Sequence, residues 1–198
     1  MMNADTLRAA PHTLHTPRLR LENPRAEHAA AVMDSVNASL PELRYIGWGQ
    51  GAFDVQRALR FCEHDRELVA AGECLIYFAF ERAGGAFVGN LDLHSFAFEV
   101  PRCEIGYVGD VRLAGRGLMF EAATEVLRLG FALGVLRIEA RCDARNLRSI
   151  TSPSGSACSA RVGCARTRAT RKGACATTWC WRCCATTRSR RFKPVADR

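Results

Sequence analysis

Apolar and polar positions along the first 150 residues switch between a period of two and a period near 3.6, and the switches mark out the elements. Arg18-Leu19-Arg20-Leu21-Glu22 alternates and predicts a strand. Asn23 and Pro24 fit a helix start, Asn as cap and Pro in the first turn. Ala26 to Ser39 continues that helix with Ala29, Val32, Met33 and Val36 on one face, and Pro41 stops it. Phe53 to Ala71 has helical spacing through Val55, Leu59, Cys62 and Leu68, and Gly72 ends it. Leu75 to Phe80 is aromatic and branched enough for a strand; Gly84-Gly85 turns the chain, and Ala86 to Leu93 returns as the next. A turn region from Phe96 to Pro101 leads to a further strand ending at Val111. Leu118 to Leu133 carries a helical stripe of Leu118, Ala122, Val126 and Leu133, closed by Gly134. Val135 to Cys142 alternates again and is expected to lie parallel to the strand before that helix. Residues 1–15 show no such pattern and read as a flexible start.

The connection from Arg112 to Leu118 joins a strand to a helix and holds Gly115 and Gly117 one residue apart. Glycines let a ligand approach the backbone closely, and the helix start adds unpaired N–H groups with partial positive charge. This is the composition of an anion-binding loop. Arg112 and Arg116 are expected to add full positive charge beside it. A Walker loop is excluded, because Leu118 and Met119 stand where Lys and Ser or Thr belong. A dinucleotide fingerprint is excluded by Phe120 in the place of its third glycine. Tyr45 and Trp48 lie in a Gly-containing loop from Leu43 to Gly51, where aromatics either line a binding cleft or plug the core.

Charge divides the chain. Residues 1–150 hold 17 Arg, no Lys and 19 acids; residues 151–198 hold 11 Arg or Lys and the single acid Asp197. The overall +8 is therefore no sign that the first part binds nucleic acid. No apolar run is long enough for a transmembrane helix and no apolar stretch near the start resembles a secretory signal, so a cytoplasmic protein is expected. His12, His15, His28, His64 and His94 are scattered, and none is assigned chemistry.

Several stretches together resemble the GNAT acetyltransferases, in particular the ribosomal-protein-alanine acetyltransferase (RimJ/RimL-like) branch. They are Thr16-Pro17-Arg18-Leu19-Arg20-Leu21, Phe87-Val88-Gly89-Asn90, Glu104-Ile105-Gly106-Tyr107, Gly115-Arg116-Gly117 with Glu121-Ala122, and Asn146-x-x-Ser149. The resemblance covers about residues 14–150. It implies an α/β (α+β) acyl-CoA N-acyltransferase fold, with a mixed, mostly antiparallel sheet flanked by helices. It also implies transfer of acetyl from acetyl-CoA to a protein N-terminal or small-molecule amine, without a metal, by a monomer or homodimer. By the same resemblance Gly115 and Gly117, with Arg112, Arg116 and Leu118 around them, hold the pyrophosphate. Val108, Gly109 and Val111 pair with the pantetheine arm like an added strand, and Asn146 bonds that arm. Glu104 takes a proton from the amine, directly or through water, and Ser149 returns one to the thiolate. Tyr45 and Trp48 border the acceptor. From the residues alone, Glu104 also fits a solvated strand carboxylate and Ser149 a helix N-cap.

The pattern breaks after Ser149. Residues 151–198 mix Cys, Arg, Ala and Thr without a usable period, so the fold is expected to be truncated after its fifth strand, Val135 to Cys142, with an irregular, disordered tail. Cys180-x-x-Cys183 has metal-ligand spacing but no second pair to complete a zinc site. An arginine-rich arm would make the chain a nucleic-acid-binding module instead of an enzyme. The genetic code favours a third reading, a frameshifted end. With the reading frame displaced by one base, Trp179 to Cys184 encodes Val-Leu-Ala/Glu-Leu/Met/Val-Leu, an apolar strand in place of a polar tail.

Overall fold

The computed structural model describes residues 2–143, 146, 160–161 and 176–182. Its strands are β1 (Thr13–His15), β2 (Leu19–Glu22), β3 (Leu75–Glu81), β4 (Phe87–Ala97), β5 (Arg102–Gly109), β6 (Arg137–Asp143), β7 (Ala160–Arg161) and β8 (Ala176–Arg182). Its α-helices are α1 (Ala4–Arg8), α2 (Ala29–Ser39), α3 (Val55–Ala71) and α4 (Leu118–Ala132). The strands form one sheet in the order β1-β2-β3-β4-β5-β6-β8-β7, antiparallel except for β5 beside β6.

Two apolar clusters bind helices to the sheet. One gathers Leu7 of α1 and Leu118, Ala122, Val126 and Leu129 of α4 with Leu19, Leu21, Tyr77, Leu91, Leu93, Ile105 and Ile138 of the strands. The other gathers Val32 and Val36 of α2 and Ala58 and Cys62 of α3 with Ile76, Phe78 and Phe80 of β3. The all-buried run from Leu75 to Phe80 is explained by helices on both faces of β3.

Two expectations are corrected. Residues 2–15 are not a loose start: Asn3 and Thr6 form a capping box for α1, and Met2, Leu7, Ala10 and Leu14 are buried. The apolar positions are too few for a periodic signal, but each finds the same cluster. Nor does the sheet stop at Arg137–Asp143. Antiparallel β8 pairs with all seven of those positions, and β7 pairs with β8. The segment Thr177-Thr178-Trp179-Cys180-Trp181 is rich in β-branched and aromatic residues, which favour strands even where no apolar alternation marks them. The expectations for the rest of residues 151–198 lie outside the described residues.

Candidate active site

The site lies where β5 and β6 part. Their parallel ladder is three pairs long, Arg102–Glu104 against Arg137–Glu139. Beyond it β5 stays with β4, as far as Gly89 opposite Gly109, while β6 stays with β8. The two strands therefore diverge toward their C-terminal ends, and the Arg112–Leu118 connection starts at the end of β5.

Close packing fixes α4 against this opening. A Cβ on Gly109 would stand 2.7 Å from Met119 Cγ, and one on Gly89 2.8 Å from Met119 Sδ. The facing glycines are a seat for the first turn of α4. Gly115 (φ 78°) and Gly117 (φ 72°) adopt left-handed conformations that L side chains resist, and Gly117 caps α4 without any side-chain hydrogen bond. No cap side chain therefore covers the N–H groups of the first turn, and the helix dipole lies behind them.

The charges around the loop are arranged differently from expectation. The Arg112 guanidinium pairs with Asp110 at 2.5 Å and Asp34 at 2.7 Å, and Arg116 pairs with Glu81 at 2.6 Å. Both arginines brace the loop against α2 and β3, so neither brings an uncompensated charge to the glycines. Burial would raise the Asp110 carboxyl, but donors from Arg112 outweigh it and hold it below the usual carboxylate range. Glu121, in the first turn of α4, accepts from the Thr16 hydroxyl (2.5 Å), the Arg18 N–H (2.9 Å) and the Arg18 guanidinium (2.6 Å). Arg18 also donates to the Arg116 carbonyl at 3.0 Å. This ties Thr16-Pro17-Arg18, which precedes β2, to the glycine loop.

The remaining expected residues fall as follows. Leu118 is buried at 1% exposure, so only its backbone can meet a ligand. The Asp110 N–H donates to the Val88 carbonyl and the Val111 N–H to the Ser39 hydroxyl. Strand-like pairing with a ligand therefore cannot use the Val111 N–H, and β5 itself ends at Gly109. Val108 packs against the α2–α3 cluster, which also takes in Leu43 and Ile46 of the aromatic loop. Trp48 is 36% exposed, with its inner side against Phe53 and Phe61. Tyr45 lies under the Arg44 guanidinium, 4.8 Å from its ring centre. Asn146 is half-buried; Ser149 lies outside the described residues.

Glu104 sits at the last rung shared by β5 and β6, and it is not a solitary carboxylate. Arg141 of β6 reaches its Oε1 at 3.2 Å, and His94 of β4, its cross-strand partner, stands 3.9 Å from its Oε2. On the far side of the ring, His94 Nδ1 is bonded to Asp92 Oδ2. A carboxylate only accepts, so Nδ1 carries the proton. The Asp92 bond raises the affinity of His94 for a second proton above its ordinary value, against the opposing effect of burial. Asp92 lies over Gly106, where a Cβ would come within 2.5 Å of its carboxylate. Behind it Asp65 of α3 is 8% exposed, and burial, then Asp92, push its carboxyl up to about 7. His94 and Asp92 were missed as site residues. Their spacing of two on one strand was a readable signal, but the register that brings Glu104 beside them was not.

No curated protein sequence matches the chain. The profile of the acetyltransferase (GNAT) domain matches residues 18–152. Solved structures share the fold at low identity. The microcin C7 self-immunity acetyltransferase MccE, in complex with acetyl-CoA and AMP, is 15% identical over 84% of this chain and 92% of its own, with TM-score 0.71. The ribosomal L7/L12 α-N-protein acetyltransferase RimL, in complex with coenzyme A, is 17% identical over 83% and 94%, also with TM-score 0.71. A ribosomal-protein-serine acetyltransferase assignment from Vibrio cholerae is 20% identical over 85% and 95%, with TM-score 0.65. Among the described residues no helix is long and apolar enough to cross a membrane, and no group of His, Cys, Asp and Glu is arranged to hold a metal ion.

Proposed function

The chain belongs to the GNAT acetyltransferase family, and from that premise we propose that it transfers acetyl from acetyl-CoA to a protein N-terminal amine or a small amine. The uncapped start of α4 at the mouth of the β5–β6 opening carries this reading. Gly115, Gly117 and the backbone of Leu118 hold the pyrophosphate. Arg112 and Arg116 keep the loop in shape through Asp34, Asp110 and Glu81. The β5 edge up to Gly109 and the side chain of Asn146 guide the pantetheine arm into the opening. That the neighbours of known structure include complexes with acetyl-CoA and coenzyme A supports this reading.

Glu104 takes the proton from the acceptor ammonium, freeing a lone pair to attack the thioester carbonyl. Its place at the fork suits the task, because the acyl end of an arm entering between β5 and β6 meets the rung where the strands join. Ser149 supplies a hydroxyl to the departing thiolate. Tyr45 and Trp48 border the acceptor, and the RimL and ribosomal-protein-serine acetyltransferase neighbours favour a protein N-terminus as acceptor. The free thiols of Cys62, Cys74 and Cys103 suit a reducing, cytoplasmic setting.

A panel of N-terminal peptides and polyamines incubated with labelled acetyl-CoA tests the reading. Transfer to at least one class of amine, lost in Glu104→Gln, is expected. Hydrolysis without transfer to any amine would refute the acceptor assignment, and full activity in Glu104→Gln would refute the base.

A further inference from the structure

We propose that His94 is a positioning residue that acts through Glu104: the proton taken by Glu104 passes to His94 Nε2, and Asp92 holds the imidazolium that results. This rests on Glu104 as the proton acceptor of the transfer reaction. Asp92 and His94 are two residues apart on β4 and project to the same face, and β-pairing sets His94 opposite Glu104. The bond from Nδ1 to Asp92 fixes the ring with Nε2 toward Glu104, 3.9 Å away. That gap exceeds a hydrogen bond and closes with about 1 Å of side-chain movement. Arg141 occupies the other Glu104 oxygen at 3.2 Å, so Oε2 is the one turned to His94. Directly after His94 the chain kinks at Ser95 (φ 54°), and the β4–β5 register shifts there, the kind of bulge that re-aims a strand side chain.

An N–H bond of the ammonium breaks and an O–H bond forms on Glu104. That O–H then breaks, an Nε2–H bond forms, and Glu104 is a carboxylate again. The imidazolium releases its proton to solvent before the next turnover, and no oxidation or reduction occurs. The step needs neutral His94 at its start. The groups facing this centre are Asp92 on β4, Glu104 on β5, Arg141 on β6 and, behind Asp92, Asp65 on α3 and Cys74 just before β3. Since the folded His94 holds its proton above the ordinary value of 6.5, activity is lost as pH falls through that raised value.

Two readouts on the full chain test this. The imidazole of His94 is titrated by NMR in the native protein, Asp92→Asn and Glu104→Gln. Its midpoint is expected to fall by about half a pH unit or more in each variant. An unchanged midpoint in Glu104→Gln overturns the coupling whether or not the chain is active. The pH dependence of kcat/KM is then compared with His94→Gln. The native acid limb is expected to coincide with the NMR midpoint. In His94→Gln the limb is lost and kcat falls about tenfold or more, with coenzyme A affinity kept within about twofold. A native pH profile in His94→Gln while Glu104→Gln is inactive overturns this proposal and leaves the base assignment standing. Native activity in Glu104→Gln overturns the base assignment itself, and the proposal with it.

Discussion

Asp65 shows what a single buried carboxyl does to this molecule. Its folded proton affinity, about 7, lies above the unfolded value of 3.8. The stability it contributes is therefore fully present below 3.8 and is lost as pH rises to about 7, above which a buried carboxylate burdens the fold. Asp65→Asn removes that burden. Urea unfolding is expected to show a stability gain at pH 8 that exceeds the gain at pH 5 by up to about 2–3 kcal/mol. Equal gains at both pH values would mean that Asp65 is ionised throughout. Arg57 is a second case. Its guanidinium donates to the carbonyls of Trp48 (3.0 Å), Gln50 (2.9 Å), Gly51 and Ala52 (both 3.2 Å) and lies over Phe53. One side chain thereby shapes the loop that carries Trp48. Arg57→Ala is expected to raise the acceptor KM several-fold while coenzyme A affinity stays unchanged; steady-state kinetics beside calorimetry checks this, and equal loss of both would show a general loss of structure.

Among the elements, β4, β5 and α4 form one mechanical unit through the Gly89–Gly109 seat. Gly109→Ala would push a methyl group into Met119, at a cost of about 1–3 kcal/mol. Shortening Met119 to Ala in the same chain should recover part of that cost, so a double-mutant cycle on thermal stability is expected to show coupling between the two positions. Additive effects would mean that α4 does not rest on these glycines. The glycine loop, the helix after it and the strands around it were legible in sequence, because glycine spacing and apolar period are local signals. The carboxylates that neutralise Arg112 and Arg116 were not legible. Asp34 and Glu81 lie on α2 and β3, far away in sequence, and only the fold brings them to the loop. The Asp92–His94–Glu104 cluster was hidden for the same reason: two of its members share a strand, but the third arrives through cross-strand register. The strand at Ala176–Arg182 was obscured by a tail composition that suggested disorder, although its own few residues favour a strand.

At the scale of the whole molecule, the sheet closes over β6 on one side and opens beside it on the other. Because β8 lies along all seven positions of β6, removal of residues 151–198 should leave β6 as an unpaired outer edge of the sheet. Light scattering is expected to show that the shortened chain aggregates; a monodisperse product would mean that β8 adds nothing to solubility. In the proposed function coenzyme A enters the opening between β5 and β6, and that proposal rests on the glycine loop. The most direct measurement is calorimetric titration of the full chain and of Gly117→Val with coenzyme A. Saturable binding that weakens about tenfold or more in the variant, about 1.4 kcal/mol, is the predicted result. Equal affinity in both proteins would contradict it, because the pyrophosphate would then be held elsewhere.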